Sequence, residues 1–222
     1  GVNAINIDEG DELIDAQITS GGDEIMLATH QGMAIRFREE DVRPMGRVAR
    51  GVRGIRLADA DDHVVGMVVI RQDVASADPA AEGEVAARPT VLVVTEKGMG
   101  KRTEVVGYRL QGRGGKGVIN IRITEKTGKV LAIKGVHPTD ELVMITRNGV
   151  VNRQGVDEIR VIGRNTQGVR LINLDPKDQV VDVACVVSEE TLEEVAEAVA
   201  GEGNLEAVSG GAVEIVGEED EE

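Results

Sequence analysis

Aromatic side chains are almost missing: the 222 residues hold one Tyr, one Phe and no Trp. That scarcity argues against the stacking platforms that hold single-stranded nucleic acid, because those need exposed rings. It also argues against the Trp-Asp repeats of one common propeller class. Any core must then be built from Val, Ile, Leu, Met and Ala. Cysteine is nearly absent as well. Cys185 stands in the apolar run Val183 to Val187 and reads as a small core residue rather than a reactive thiol. A lone cysteine forms no disulfide framework, which fits a reducing compartment. No apolar run approaches the ~18 residues of a membrane span, and no charged-then-apolar signal opens the chain. The expectation is a soluble, cytoplasmic chain with no membrane partner.

Catalytic constellations are missing too. His30, His63 and His137 are scattered, without Cys or acid partners at metal spacing, so no metal site is expected. The Gly-rich stretches Gly98 to Gly100 and Gly112 to Gly117 lack the spacing and the Lys-Ser/Thr pair of a P-loop. The chain by itself is expected to be no enzyme and to carry no cofactor.

Cations are absent from the end of the chain. Residues 188–222 hold thirteen of the 40 acids and none of the 25 Lys and Arg, so the net charge of −15 becomes −2 over residues 1–187. A near-neutral body with arginines in register is compatible with a basic stripe. In the tail, Leu192, Val195, Ala196 and Val199 fall at helical spacing, with Thr191 and Glu194 at capping-box spacing. They predict a short helix over 189–200. Residues 201–222 are Gly-rich and acidic and read as mostly disordered.

What the chain has is a repeat. Gly46-Arg47, Gly112-Arg113 and Gly163-Arg164 each precede a Gly-Val pair: Gly51-Val52, Gly117-Val118 and Gly168-Val169. Gly32, Gly98 and Gly149 stand nineteen residues before those pairs, each with a Thr three residues earlier, at Thr29, Thr95 and Thr146. Three arginine columns share the register: Arg36, Arg102 and Arg153; Arg43, Arg109 and Arg160; Arg47, Arg113 and Arg164. The offsets are 66 and 51 residues, and Arg71 to Arg88 looks like the insertion that lengthens one copy. A period near fifty residues means a propeller or solenoid array.

Within each copy, alternating apolar runs separated by Gly turns predict four short antiparallel strands. For the first copy these are Leu13 to Thr19, Glu24 to Thr29, Met33 to Arg38 and Val52 to Leu57. The others add Thr90 to Thr95, Met99 to Thr103, Val118 to Ile123, Leu142 to Thr146, Val150 to Arg153 and Val169 to Leu174. Connecting strands are Val64 to Ile70, Val130 to Val136 and Val180 to Val187. The fold class is all-β, a propeller-like array of about four-stranded blades. The copies fall at about 8–57, 58–123 and 124–174, with partial blade strands at 1–7 and 175–187. Because the chain begins and ends partway through a module, the array reads as incomplete and as a piece of a longer protein.

Val42 to Leu57 (Val-Arg-Pro-Met-Gly-Arg-Val-Ala-Arg-Gly-Val-Arg-Gly-Ile-Arg-Leu) and Val161 to Leu171 resemble the C-terminal domain of DNA gyrase A. The loop Gln111, Gly112, Arg113, Gly114, Gly115, Lys116, Gly117 is similar to the box that marks that domain, with Gly112 where the family carries a cation. The resemblance covers roughly residues 1–187. It implies a β-pinwheel, whose blades exchange strands, and a rim that wraps duplex DNA so that the whole enzyme introduces negative supercoils. By the same resemblance ATP and Mg2+ serve the whole enzyme, a type IIA topoisomerase of the bacterial cytoplasm and nucleoid. Its partners are double-stranded DNA, without strong sequence preference, the rest of gyrase A, and gyrase B. The family's DNA-cleaving tyrosine lies in another domain, so Tyr108 reads as structural.

Wrapping needs cations at regular intervals, and the register supplies them: one copy, one set of arginines. Arg47, Arg113, Lys116 and Arg164 on the Gly-rich loops lead, because glycine lets a phosphate approach the backbone N–H groups. Arg43, Arg50, Arg109 and Arg160 follow. Arg36, Arg102 and Arg153 follow the hairpin turns and serve either DNA or, paired with acids, as braces. Arg38, Arg53, Lys101, Arg147 and Arg170 are supporting candidates. The acidic tail either competes with DNA for the cations or merely solubilises. Two other readings stay open: the equivalent domain of topoisomerase IV, and a propeller-type protein-interaction scaffold whose arginines face acids.

Overall fold

The structure is a computed structural model that describes residues 1–2, 4–71 and 89–186. Contacts divide the chain into two units, Gly1–Ser188 and Glu189–Glu222. Most of the expected insertion, the helix over 189–200 and the acidic end lie outside the described residues.

The strands are β1 (Glu24–Thr29), β2 (Met33–Arg38), β3 (Val64–Ile70), β4 (Thr90–Thr95), β5 (Met99–Glu104), β6 (Val118–Ile119), β7 (Val130–Val136), β8 (Glu141–Thr146), β9 (Val151–Gly155), β10 (Val169–Arg170) and β11 (Val180–Val186). Single 3-10 turns follow β2 at Glu39–Asp41 and β5 at Val105–Gly107. Three antiparallel sheets result, in the orders β3-β1-β2-β6, β10-β5-β4-β7 and β11-β8-β9.

Each hairpin turns at a glycine with positive φ, Gly32 at 84°, Gly98 at 69° and Gly149 at 85°. Such a conformation is cheap only without a Cβ. The buried threonine of each copy locks that turn. Its hydroxyl accepts the N–H of the residue four further on, at 3.4 Å from Met33 to Thr29, 3.2 Å from Met99 to Thr95 and 3.2 Å from Val150 to Thr146.

Sheets and sequence copies do not coincide. The second copy sends β6 back onto β2, pairing Val118 with Ala34, and the third sends β10 onto β5, pairing Val169 with Gly100. This is the strand exchange of a pinwheel. The Gly-Val glycines allow it: a Cβ on Gly117 would lie 2.2 Å from the Ala34 carbonyl oxygen, and one on Gly168 2.5 Å from that of Gly100. At Gly51 a Cβ would meet nothing within 4 Å. The exchanged strands are shorter than expected over Val118 to Ile123 and Val169 to Leu174; beyond β6 the chain pairs instead with the next copy's loop, where the Arg122 N–H meets the Thr166 carbonyl.

Two expected strands are absent. Val52 to Leu57 is irregular, because the described residues offer it no β2-type edge to join. Leu13 to Thr19 is also irregular, with Leu13, Ile14 and Ile18 exposed. The described part of residues 1–7 carries no strand either.

The core lies between sheets, as successive faces stack. Met26 and Ala28 of β1 pack with Val91 and Val93 of β4, while Leu92 and Val94 on the other face of β4 pack with Leu142 and Met144 of β8. Strand β4 is buried on both faces for that reason. A smaller cluster of Ile35, Phe37 and Ile55 closes the outer side of the first sheet. Cys185 packs half-buried against the second cluster, and burial beside Asp140 pushes its thiol up to about 11. A thiol so raised stays protonated and inert at neutral pH.

Candidate nucleic-acid interface

The Gly-rich loops are where one copy grips the next. In the second copy, the Gly114 N–H donates to the Gly54 carbonyl at 2.7 Å, and the Arg56 N–H donates to the Gly115 carbonyl at 2.8 Å. In the third, Asn165 donates to Asn120 at 3.0 Å and Arg122 to Thr166 at 2.8 Å. These are the same positions one copy on. Gly114 has φ of 81° and Asn165 has φ of 55°, so Asn supplies the left-handed turn where glycine is missing. The Gln111 and Gly114 N–H groups are thus committed to protein carbonyls, and the loop serves as an inter-copy ladder.

The loop arginines do the same work. Arg113 donates from Nε to the Asp41 carbonyl at 3.0 Å and from a terminal nitrogen to the Arg53 carbonyl at 2.5 Å. Arg164 donates to Gly107 at 2.6 Å and to Ile119 at 3.3 Å, again the same two positions of the preceding copy. Arg164 also lies over the Tyr108 ring, 5.8 Å from its centroid. Both guanidiniums are half-buried. Arg47, whose loop has no earlier copy among the described residues, is exposed.

A second arginine column reaches the other way. Arg36, 8% exposed, donates to the Val105 and Tyr108 carbonyls of the following copy at 3.0 and 3.1 Å, and is ion-paired with Glu24. Arg102, 7% exposed, donates to Ile159 at 2.7 Å and Asp157 at 3.2 Å. Arg153 pairs with Glu141 and is exposed. In this column the brace is the role observed, with acids for Arg36 and Arg153 and with backbone carbonyls for Arg36 and Arg102.

The column Arg43, Arg109 and Arg160 is different. All three are exposed, and none makes an ion pair or hydrogen bond through its side chain among the described residues. Arg109 and Arg160 flank the segments that run along the outer edges of β2 and β5, where Gln111 donates to the Arg36 carbonyl and Ile162 to that of Arg102, both at 2.9 Å. Their backbone is therefore fixed while their side chains are free. Lys116 is exposed on its loop, and Arg50 pairs with Asp8 at 2.8 Å, both partners well exposed. Arg38, Arg53, Arg147 and Arg170 are exposed.

Lys101 is not an interface residue: it is fully buried, its ammonium on the Thr103 hydroxyl. Burial, with Arg164 nearby, lowers it to about 8. Arg56 and Arg122, 66 residues apart and both exposed, belong with the candidates and went unnoticed in the sequence, although the register held the signal. Tyr108 is buried, its hydroxyl donating to the Asn120 side-chain oxygen at 2.5 Å, and burial pushes it up to about 12. That is a structural tyrosine. His30 and His63 are brought together, stacked at 4.5 Å, with Glu96 3.4 Å from His30, although they stand far apart in sequence. Among the described residues no three metal-ligating side chains converge, and no helix is long and apolar enough to cross a membrane.

Comparison with known proteins gives this geometry a family. The DNA gyrase C-terminal domain, beta-propeller, matches residues 1–20, 23–71, 89–136 and 140–186. The DNA gyrase A of Klebsiella oxytoca is 42% identical over 220 residues, 99% of this chain and 22% of that protein. That of Deinococcus deserti is 43% identical over 193 residues, 86% of this chain and 22% of that protein. The chain spans about a fifth of the length of these relatives. A solved DNA gyrase A C-terminal domain matches with a TM-score of 0.70 at 24% identity, covering 84% of this chain and 58% of that one. The C-terminal domain of a DNA topoisomerase IV matches at 0.73 and 23% identity, covering 90% and 57%. At those identities the likeness is one of fold, and the family rests on the sequence match. The chain belongs to the DNA gyrase C-terminal domain family of β-propellers.

Proposed function

We propose that the chain binds duplex DNA and bends it along successive copies, as the wrapping part of a gyrase A protein. The whole enzyme would use ATP and Mg2+ to introduce negative supercoils, with the rest of gyrase A and gyrase B as partners in the bacterial cytoplasm. The observation that carries this is the free arginine column. Arg43, Arg109 and Arg160 recur once per copy, exposed and unpaired among the described residues, and the backbone beside Arg109 and Arg160 is held along the edge of a neighbouring copy's strand. Lys116, Arg56, Arg122 and the exposed Arg47, Arg50, Arg53 and Arg170 add charge; Arg113 and Arg164 contribute at most the terminal nitrogen their braces leave over.

A rigid frame with free cations is what bending requires. Curving 20–30 bp by 40–90° costs on the order of 1–6 kcal/mol, which phosphate contacts must offset. Such contacts position DNA without reading bases, so little sequence preference is expected. The scaffold alternative predicted arginines facing acids. Arg36 and Arg153 do so, and the Arg43 column does not. Incubating the chain with relaxed plasmid and a topoisomerase that seals writhe tests the proposal: a shift in linking number supports it. Binding without any shift leaves only attachment and overturns the wrapping.

A further inference from the structure

The three loops of the track are unequally charged, and we infer that the third copy is its weak step: as salt rises, duplex DNA leaves the loop 157–174 before it leaves 40–57 and 106–123. This rests on the rim being the DNA track, as proposed above. Over 40–57 five cations stand against two acids, over 106–123 four against none, and over 157–174 three against two. Arg113 and Arg164 brace the preceding copy in the same way, so they do not separate the second loop from the third.

The deficit falls at positions that face outward. Lys116 and Arg122 are exposed although the second copy has a neighbour packed on either side. Their counterparts in the third copy, 51 residues on, are Gln167 and Asn173, and both are exposed as well. The first copy has Arg50 and Arg56 at these positions, 66 residues earlier. The third loop therefore keeps the outward positions and loses two of the charges. It regains one at Arg170, where the second copy has the 43% exposed Ile119 and the first has Arg53. Asp157 and Glu158 then offset that gain: both are exposed just ahead of Arg160, where the second copy has Val106 and Gly107 ahead of Arg109. The first copy has Glu40 and Asp41 there, but carries arginine at all three outward positions.

Gln and Asn side chains hydrogen-bond a phosphate oxygen but displace no counterion, so they add little to the salt-dependent part of binding. A duplex held at three loops through its phosphates leaves first the loop with the fewest cations. The acids beside Arg160 act in the same direction, because charges so close in sequence lie within the Debye length of about 10 Å at 0.1 M salt and repel the same phosphates. The third copy is then where a bent duplex lifts off while the first two still hold it, and the held length shortens in a step before the complex falls apart.

Arginine footprinting of the 222-residue chain tests this. The chain is treated briefly with phenylglyoxal, with and without a long duplex, at stepped salt concentrations, and mass spectrometry reads the protection of each arginine. Arg160 and Arg170 should lose their protection at lower salt than Arg43 and Arg109. In the double variant Gln167→Lys, Asn173→Arg, which gives two exposed positions the charge their second-copy counterparts carry, the salt midpoint at Arg160 should rise to that at Arg109. The slope of log affinity against log salt should steepen by about 1.8, twice the single-phosphate value. Protection lost at one salt concentration in all three loops overturns the inference and leaves the track standing, as does a variant whose Arg160 midpoint and slope do not move. Absence of protection at Arg43, Arg109 and Arg160 at every salt concentration overturns the track itself, and the inference with it.

Discussion

Replacing Arg164 by alanine and, separately, Arg160 by alanine should separate frame from interface. Arg164 donates two hydrogen bonds to carbonyls of the preceding copy and lies over Tyr108. A bond from a charged donor contributes about 1.5–3 kcal/mol when buried, and a cation–π contact about 0.5–1 kcal/mol. The guanidinium is only half-buried, so the lower ends apply, and with the long bond to Ile119 counted as negligible the short bond and the ring contact make the loss about 2 kcal/mol. For a domain of this size that is roughly 4–8 °C in Tm. Arg160 is exposed and unpaired, so its loss should stay within about 0.5 kcal/mol.

DNA binding should order them the other way. Removing a phosphate contact lowers the slope of log affinity against log salt by about 0.9. Arg160→Ala should show that change, and Arg164→Ala, assayed well below its own Tm, should show at most a small part of it. Calorimetric or CD melting, with fluorescence anisotropy on a short duplex at several salt concentrations, reads both. If Arg164→Ala melts like the parent and lowers the slope by about 0.9, the clasp is not what holds these loops.

The remaining predictions use the glycines and the buried titratable groups. Gly117→Ala meets the Ala34 carbonyl at 2.2 Å and also a φ of 73°, whereas Gly51→Ala meets only the φ. The second should cost about 1–2 kcal/mol and the first at least twice that in urea unfolding. Lys101 is held near 8 by burial, below its ordinary 10.5, so the folded state binds fewer protons than the unfolded between those values. Stability should therefore rise with pH from about 8 to 10.5, and Lys101→Met should flatten that rise and stabilise the fold at pH 7 by about 1–3 kcal/mol. Tyr108→Phe removes one buried hydrogen bond and leaves Asn120 unmatched, so Tm should fall by a few degrees, with no change in the salt slope of DNA binding.

Much of the fold was legible because alternation and turn glycines are local signals. Glu24–Thr29, Met33–Arg38, Val64–Ile70, Thr90–Thr95 and Val130–Val136 form strands with the bounds the residues imply. Val52 to Leu57 failed because the equivalent stretches are strands only where another copy's edge receives them. That is a property of neighbours and leaves no mark in the stretch itself. The arginine columns were legible as columns, but their roles were not. Guanidinium groups at one period look alike in sequence, whether they meet a carbonyl of the copy before, as Arg113 does, a carbonyl of the copy after, as Arg102 does, or solvent, as Arg109 does. The one hint was Glu24 and Glu141, each twelve residues ahead of its arginine across a hairpin. Lys101 aligns with Ile35 and Asn152 of the other copies and reads as a surface cation by residue type alone, yet its strand is buried on both faces.

The central claim, that the exposed column is the track for DNA, is tested most directly by one measurement. The salt dependence of duplex binding is compared between the chain and the triple variant Arg43→Ala, Arg109→Ala, Arg160→Ala, with melting as a check on folding. The slope of log affinity against log salt should fall by about 2.7, three times the single-phosphate value, while Tm stays within about 3 °C. An unchanged slope in a folded variant would mean that DNA, if it binds, follows some other path across the molecule.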